Sequence, residues 1–368
     1  MDRRTYLRIT GAAAAGTLSG LPLRALHGSV LKSGDVKVKF RHGTWIGGAI
    51  ETGSREEWKT KFAQLRKAGV DAVFLRLEPT AYPDVISVAN EEGVQIHAWM
   101  PTMMQTGMVE SHPEWYVVNR KGESSADKPA YVDYYHFLCP SRPAVVEHLK
   151  TQIDALSRID GLKSVHLDYI RYPDVILPIS LWEKYGIVQD KEYPDYDYCY
   201  CDVCRETFQS QQGIDPMAID EPSEHEQWLQ YRYDSITNVV NALAETAHSN
   251  DMAITAAVFP TPDIARQLVR QEWTKWNLDG VMPMIYHSFY EEPVEWIETA
   301  TREGVTTLNG RFPLYSGVFV HAMTPDDLAE SVRLARSGGA EGVVIFDGKT
   351  PTKEHWDKFA AVTGNAAD

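Results

Sequence analysis

A dense run of polar and aromatic residues at 166–173 is the segment best equipped for chemistry. It reads His-Leu-Asp-Tyr-Ile-Arg-Tyr-Pro and includes a carboxylate at Asp168 and a guanidinium at Arg171. Glu78 and Asp347 also follow apolar stretches directly. Two carboxylic side chains can cleave a glycosidic bond, one as the acid that protonates the leaving oxygen and one as nucleophile or base. We therefore predict Asp168 as one catalytic residue, with Asp347 or Glu78 as the other.

Each of these carboxylates also has a structural explanation. Asp168 could form a salt bridge with Arg171, since ion pairs also occur at strand ends. Asp347 precedes a glycine and fits a turn. Glu78 precedes a proline and could be a solvated loop charge. The sequence leaves these alternatives open.

A second set of side chains predicts contacts with a sugar. Aromatic faces stack on the apolar C–H edges of sugar rings, and arginine can lower the pKa of a carboxylate or bind an acidic sugar. The alternatives are a core histidine and core aromatic side chains. The predicted substrate-binding residues are Arg76, His97, Trp99, Arg171, Tyr172 and Tyr286.

Four cysteines form a third group: Cys139, Cys199, Cys201 and Cys204, the last three in a Cys-x-Cys-x-x-Cys run. Two disulfides are the usual arrangement in an exported protein, and three pairings are possible. Three thiolates within six residues, with a fourth from a separate loop, suit a closed tetrahedral zinc site. We predict a structural zinc ion at these four residues, with disulfides as the alternative. No organic cofactor is predicted.

The elements that must position these residues alternate between apolar runs and helical stretches, which is typical of parallel βα units. Eight runs and their length favour a single (β/α)8 barrel over residues 38–365. Its active face would lie at the carboxyl ends of the strands. An open doubly wound sheet is the alternative, but the glycine-rich dinucleotide motif is missing. The predicted strands are 43–50, 71–77, 94–100, 164–169, 252–259, 280–286, 313–319 and 342–346.

Three helices are predicted from apolar periodicity and end signals. They cover 55–68, 141–158 and 224–248. The segment 170–250, after the fourth strand, is longer than an ordinary βα loop and contains the cysteine run. Long insertions of this kind usually carry function or cover a site.

Composition excludes some partners. The 368 residues carry a net charge of −15, and the basic residues are scattered. A nucleic-acid partner is therefore not expected. Hydrophobic residues make up 43% of the chain, which is enough for one large core.

The first 28 residues resemble a twin-arginine export signal. Arg3 and Arg4 precede a weakly apolar, Ala/Gly-rich stretch that is too short to span a bilayer. We expect a periplasmic or secreted protein without a membrane anchor, because no later stretch has the apolar length of a transmembrane helix. The alternative is an ordinary frayed terminus.

Residues 167–173, Leu-Asp-Tyr-Ile-Arg-Tyr-Pro, resemble the signature of the glycoside-hydrolase-like family 10 barrels of bacteria. The stretch 276–286, with Asp-Gly and Met-Pro-Met-Ile-Tyr, is similar to the sixth-strand region of that group. The resemblance implies a (β/α)8 barrel that cleaves a poly- or oligosaccharide. Asp168 is the residue that it marks most directly for catalysis.

The cysteine pattern is separately similar to that of family-42 beta-galactosidases, in which it binds a structural zinc near the barrel mouth. This chain lacks the Asn-Glu pair that those enzymes place after the fourth strand. Two other functions stay open on the same scaffold. One is a carbohydrate-binding barrel without catalysis. The other is a polysaccharide lyase with His97 or Tyr286 as base.

Overall fold

The computed structural model describes residues 38–364, in which eight parallel strands form a barrel. Neighbouring strands pair in the order β6-β5-β4-β3-β2-β1-β8-β7. Parallel bridges from Val281 to Leu314 and from Met284 to Gly317 join β6 to β7. The barrel is therefore nearly closed, and the predicted fold class is confirmed. The strands are β1 Gly43–Ile46, β2 Ala72–Leu75, β3 Gln95–Pro101, β4 Ser164–Asp168, β5 Ala253–Val258, β6 Gly280–Pro283, β7 Tyr315–Phe319 and β8 Gly342–Phe346.

Ten α-helices occur in the described part of the chain, and eight of them each follow one strand of the barrel. The two others, α4 and α5, lie in the insertion after β4. The helices are α1 Arg55–Ala68, α2 Tyr82–Glu91, α3 Pro143–Ser157, α4 Trp182–Tyr185, α5 Asp202–Gln212, α6 Glu226–Ser249, α7 Pro262–Val269, α8 Trp296–Leu308, α9 Pro325–Gly338 and α10 Lys353–Thr363.

Local signals explain where the first helix starts and stops. The Ser54 side chain accepts the backbone N–H of Glu57, and the Glu57 side chain accepts the backbone N–H of Ser54 in return. This capping box satisfies two amides that have no partner within the helix. Gly69 ends the helix with φ of 99°, a conformation that glycine adopts without steric cost. The sequence predicted both ends of α1 correctly.

The barrel interior is filled by every second residue of each strand. Trp45, Phe74 and Trp99 belong to this inner cluster, whereas their strand neighbours face the helices. Phe40 stacks on Tyr315 with ring centroids 3.9 Å apart and fills one end of the barrel. The interior is thus a packed core, and the chemistry must lie at the other end.

Two insertions lie at the carboxyl ends of adjacent strands, at 102–142 after β3 and at 169–225 after β4. They touch each other through an antiparallel bridge between Asn119 and Tyr198. The sequence predicted the second insertion but not the first. Together they bring Cys139 next to the Cys-x-Cys-x-x-Cys run.

None of the helices within residues 38–364 combines the length and the apolar character needed to cross a bilayer. The predicted export signal, residues 1–28, lies outside the described residues.

Candidate active site

Asp168 is the last residue of β4, on the strand face that points into the barrel. Its side chain is buried, since the residue is 8% exposed. Oδ2 accepts the indole N–H of Trp99 at 2.9 Å, and Oδ1 accepts the backbone N–H of Tyr169 at 2.7 Å. Burial raises the pKa of Asp168, although these two donors and the charge of Arg171 oppose the rise. Burial therefore makes ionisation of Asp168 less favourable than that of a solvent-exposed aspartate.

Arg171 does not pair with Asp168. Its guanidinium forms a buried salt bridge with Asp174 at 2.9 Å and donates to the hydroxyl of Tyr135 at 2.7 Å. It also lies over the ring of Phe259, 5.2 Å from the centroid. The structure therefore gives Arg171 a local structural partner, and within residues 38–364 Asp168 has no salt bridge.

Four aromatic rings, those of Trp99, Tyr286, Phe319 and Phe346, contact one another beside Asp168. Tyr286 stacks on Phe346 with centroids 6.1 Å apart, and it contacts Phe319 at 5.3 Å. Trp99 meets Phe346 edge-on at 6.2 Å. Phe319 and Phe346 end β7 and β8 and are only partly buried. The predicted residues Trp99 and Tyr286 thus lie in one aromatic surface at the barrel mouth.

Tyr286 interacts electrostatically with both predicted catalytic aspartates. Burial raises the pKa of its hydroxyl well above the ordinary value, and the negative charges of Asp168 and Asp347 add to the rise. Both carboxylates are therefore within electrostatic reach of the same phenol. Asp168, at the end of β4, and Asp347, directly after β8, thus lie at the same end of the barrel as Tyr286.

Asp347 forms a turn with one of its oxygens. Oδ1 accepts the backbone N–H groups of Lys349 at 2.8 Å and Thr350 at 3.1 Å. Oδ2 lies 3.6 Å from Nε2 of His321. The turn alternative is therefore correct for one oxygen, while the other faces the rim of the barrel.

Charged residues that the sequence did not single out complete the rim. Glu51 forms a salt bridge with Lys349 at 2.7 Å, and its backbone N–H donates to the carbonyl of Arg76 at 2.8 Å. Gly47 has φ of 81°, which favours glycine, and a Cβ there would lie 2.0 Å from Oε1 of Glu51, so that carboxylate would have to move. Glu51 directly follows the predicted first strand, and His321 comes two residues after the seventh. The strand-end rule is the signal by which both positions could have been found.

Four of the predicted residues do not lie in the mouth: Arg171, described above, and Glu78, His97 and Tyr172. Glu78 is exposed and precedes a single 3-10 turn. His97 is fully buried at mid-strand, and its Nδ1 is hydrogen-bonded to the hydroxyl of Ser164 at 2.7 Å. Burial lowers the pKa of His97 to about 3, so this histidine is a neutral core residue. Tyr172 is buried beside the cysteines. Arg76 is partly buried just past β2, near Glu51.

The four cysteines meet as a compact, fully buried cluster. All four Sγ atoms lie within 4.8 Å of one another. Cys139 Sγ is 3.5 Å from Cys204 Sγ and 3.7 Å from Cys201 Sγ. A disulfide would need about 2.05 Å, and the structure holds all four as free thiols. Tetrahedral zinc with Zn–S bonds near 2.3 Å separates its sulfurs by about 3.8 Å, so the donor set fits a metal ion.

The surroundings of the cluster also suit a metal–thiolate centre. Backbone N–H groups of Val118 and Cys201 point at Cys199 Sγ at 3.4 and 3.5 Å. The hydroxyl of Tyr172 is buried and has no hydrogen-bond partner among the described residues. These donors would stabilise negative sulfur.

Residues 58–326 match the family described as glycosyl hydrolase-like 10. Solved structures with a similar fold include the catalytic domain of a beta-amylase from Paenibacillus polymyxa, with a TM-score of 0.63 and 10% identity. The match covers 89% of this chain and 99% of that domain. No curated protein matches the sequence.

Two beta-galactosidases are also similar in fold. The enzyme from Halorubrum lacusprofundi gives a TM-score of 0.63 at 14% identity, covering 88% of this chain and 57% of that one. A catalytic mutant of a GH42 enzyme from G. stearothermophilus gives 0.62 at 10% identity, covering 89% and 57%. The chain therefore spans little more than half the length of these galactosidases.

Proposed function

The chain belongs to the glycosyl hydrolase-like 10 family, and from this premise we propose that it hydrolyses O-glycosidic bonds of a poly- or oligosaccharide at its barrel mouth. The observation that carries the proposal is the environment of Asp168. This buried carboxyl lies at the carboxyl end of β4, its pKa is raised by burial, and no cation of the described part of the chain forms a salt bridge with it. Glycosidases need an acid of this kind.

The geometry suggests separate roles for the two aspartates. Asp168 would protonate the leaving oxygen, because a raised pKa keeps the proton available. Asp347 would act as nucleophile or base through Oδ2, the oxygen that its turn does not use. The rings of Tyr286 and Trp99 would receive the faces of the sugar.

Hydrolysis is favoured over elimination by a lyase. His97 is hydrogen-bonded within the core and cannot reach a substrate at the mouth. The pKa of Tyr286 is raised by burial and by two nearby carboxylates, which disfavours the phenolate that a lyase base requires. Both predicted lyase bases are thus poorly placed for that role.

The test is a screen of purified protein against a panel of poly- and oligosaccharides, with Asp168→Asn as the matched control. New reducing ends from the natural protein but not from the variant would support hydrolysis. An unsaturated product absorbing in the ultraviolet would instead identify a lyase. Binding without any product would identify a carbohydrate-binding barrel.

We also propose that the cysteine cluster binds a structural zinc ion. Four thiolates complete a tetrahedral shell and leave no position for a substrate. The ion would join the insertion after β3, through Cys139, to the insertion after β4. Elemental analysis should find about one zinc per chain, and a metal-free protein with no titratable thiols would indicate disulfides instead.

We further propose that the protein is exported through the twin-arginine route. The support is the sequence of residues 1–28 alone, with Arg3 and Arg4 before an apolar stretch. Replacing both arginines by lysine should keep the protein in the cytoplasm, as measured by cell fractionation. Unchanged export of that variant would contradict this route.

A further inference from the structure

We propose that the cysteine cluster has a second role beyond joining the two insertions: it positions Asp168 in the barrel mouth. The functional meaning of this coupling rests on the proposed role of Asp168 in hydrolysis. The coupling itself is a property of the fold, carried by backbone hydrogen bonds on one side of Asp168 and by Tyr172 on the other.

The first connection runs through the insertion after β3. The backbone N–H of Thr102 donates to the carbonyl of Asp168 at 2.7 Å, and that of Met103 donates to the carbonyl of Tyr169 at 3.2 Å. The carbonyl of Met103 accepts the N–H of Leu138 at 2.8 Å. The next residue is Cys139. Two successive strand-like contacts thus connect a predicted metal ligand to the peptide units of Asp168 and Tyr169.

The second connection runs along the chain from Asp168 to Tyr172, four residues later. The Tyr172 ring is fully buried, and its hydroxyl has no hydrogen-bond partner among the described residues. The hydroxyl interacts electrostatically with Cys204, Cys139 and Cys199, so it lies close to the cysteine cluster. A buried donor without an acceptor is costly, and a negative sulfur nearby lowers that cost.

The backbone between these two connections has an unfavourable conformation at Tyr169 that the surrounding structure must stabilise. Tyr169 has φ of 49°, in the left-handed region that residues other than glycine, Asn and Asp rarely adopt. Such a conformation is strained and persists only where its surroundings impose it. The N–H of Tyr169 is also the donor to Oδ1 of Asp168. Holding Tyr169 in this conformation therefore orients the carboxyl group.

The thiolate shell supplies a rigid support on both connections. Four thiolates around a divalent zinc ion carry a net charge of about −2, which outer donors must stabilise. Tyr172 would supply an O–H donor in addition to the N–H groups of Val118 and Cys201. Loss of the ion would release Cys139 and Tyr172 together, and with them both sides of the Asp168 segment.

The indole N–H of Trp99 reports the position of Asp168, because it donates to Oδ2. Its NMR resonance, assigned with Trp99→Phe, is recorded for zinc-loaded protein and for chelator-treated protein whose circular dichroism remains native. The expected result is a shift or broadening of this resonance on zinc removal. An unchanged resonance in folded, zinc-free protein would overturn the proposal.

Tyr172→Phe tests the second connection while keeping all four thiols. If zinc removal unfolds the chain, so that the chelation experiment gives no result, this variant tests the proposal instead. The variant should bind zinc about 10- to 100-fold more weakly in chelator competition and should shift the Trp99 resonance. Tyr82→Phe is the matched control, since Tyr82 is also buried and donates to the Leu75 carbonyl at 2.9 Å. Equal zinc affinity and an unmoved resonance in Tyr172→Phe would refute the coupling.

These measurements need no glycan. If the Trp99 resonance changes on zinc removal but no carbohydrate is cleaved, the positioning of Asp168 by the cluster holds and the hydrolase proposal fails. If glycans are cleaved but the Trp99 resonance is unchanged by zinc removal and by Tyr172→Phe, the hydrolase proposal holds and the positioning proposal fails.

Discussion

The barrel mouth and the cysteine cluster are both buried groups of ionisable side chains, yet they are built in opposite ways. The cluster combines four identical ligands within 4.8 Å of one another, so each sulfur has partners of its own kind. Among the described residues, Asp168 has two N–H donors, and it shares the mouth with aromatic rings and a second carboxylate. A complete ligand set favours a static role, whereas an under-paired carboxyl retains the capacity to react.

The largest effect is expected from Asp168→Asn. The amide cannot supply the proton, so turnover should fall by about 10²- to 10⁴-fold. Glu78→Gln is the control, since Glu78 is exposed and should lose less than about twofold. The measurement is release of reducing ends from whichever glycan the screen identifies. Equal activity of Asp168→Asn and the natural protein would remove Asp168 from the mechanism and end the contrast between the two regions.

Cys139→Ser should mainly destabilise the fold. Loss of one ligand from a four-thiolate site should weaken zinc binding and lower the free energy of unfolding by more than about 4 kcal/mol. Chemical denaturation with and without added zinc measures this. Stability that is independent of both zinc and Cys139 would show that the cluster is an ordinary buried packing of thiols.

Asp347→Asn separates the two candidates for the second carboxylate. It keeps an oxygen for the turn with Lys349 and Thr350 but removes the charge. We expect at least a tenfold loss of turnover, on the order expected for a positioned acid or base, with circular dichroism unchanged. A larger loss in Glu78→Gln than in Asp347→Asn would reverse the assignment.

Trp99→Phe should move the pH profile. The indole N–H stabilises the ionised form of Asp168, so its loss raises the pKa of that carboxyl further. An acid works while it is protonated, and the alkaline limb of kcat/KM should therefore move up by about one pH unit. If the alkaline limb does not move, the ionisation of a group other than Asp168 determines it.

The smallest effect is a pH dependence of stability. The pKa of Asp168 is raised in the folded protein, so the folded state holds this proton more tightly than the unfolded chain does. That contribution is complete below about pH 4, the unfolded value, and is lost as the pH rises through the folded pKa. The free energy of unfolding of the natural protein should thus decline relative to Asp168→Asn as the pH rises. A constant difference would mean that burial does not shift this group.

Much of the architecture was predictable because it depends on local patterns. Eight apolar runs with intervening helices predict the barrel, and the capping box with Gly69 predicts both ends of α1. The spacing of three cysteines predicts a cluster. Each of these patterns repeats or ends within a short stretch of the sequence.

The site depended more strongly on tertiary structure. Asp168, Arg171 and Tyr172 lie within five residues of one another. Asp168 points into the mouth, Arg171 pairs with buried Asp174, and Tyr172 is buried near the cysteines. Strand alternation ends at Asp168, and beyond it the left-handed turn at Tyr169 decides where each side chain points. No periodicity in the sequence predicts that direction.

By itself, then, the sequence determined a strand-and-helix barrel, an acidic residue at the end of its fourth strand, and four cysteines able to share one ion. The tertiary structure alone decided that Phe319, Phe346 and Glu51 complete the mouth, and that His97 belongs to the core. The physical reason is that periodicity specifies which face of a strand is buried. Depth along the barrel and the path of each loop are set by long-range packing.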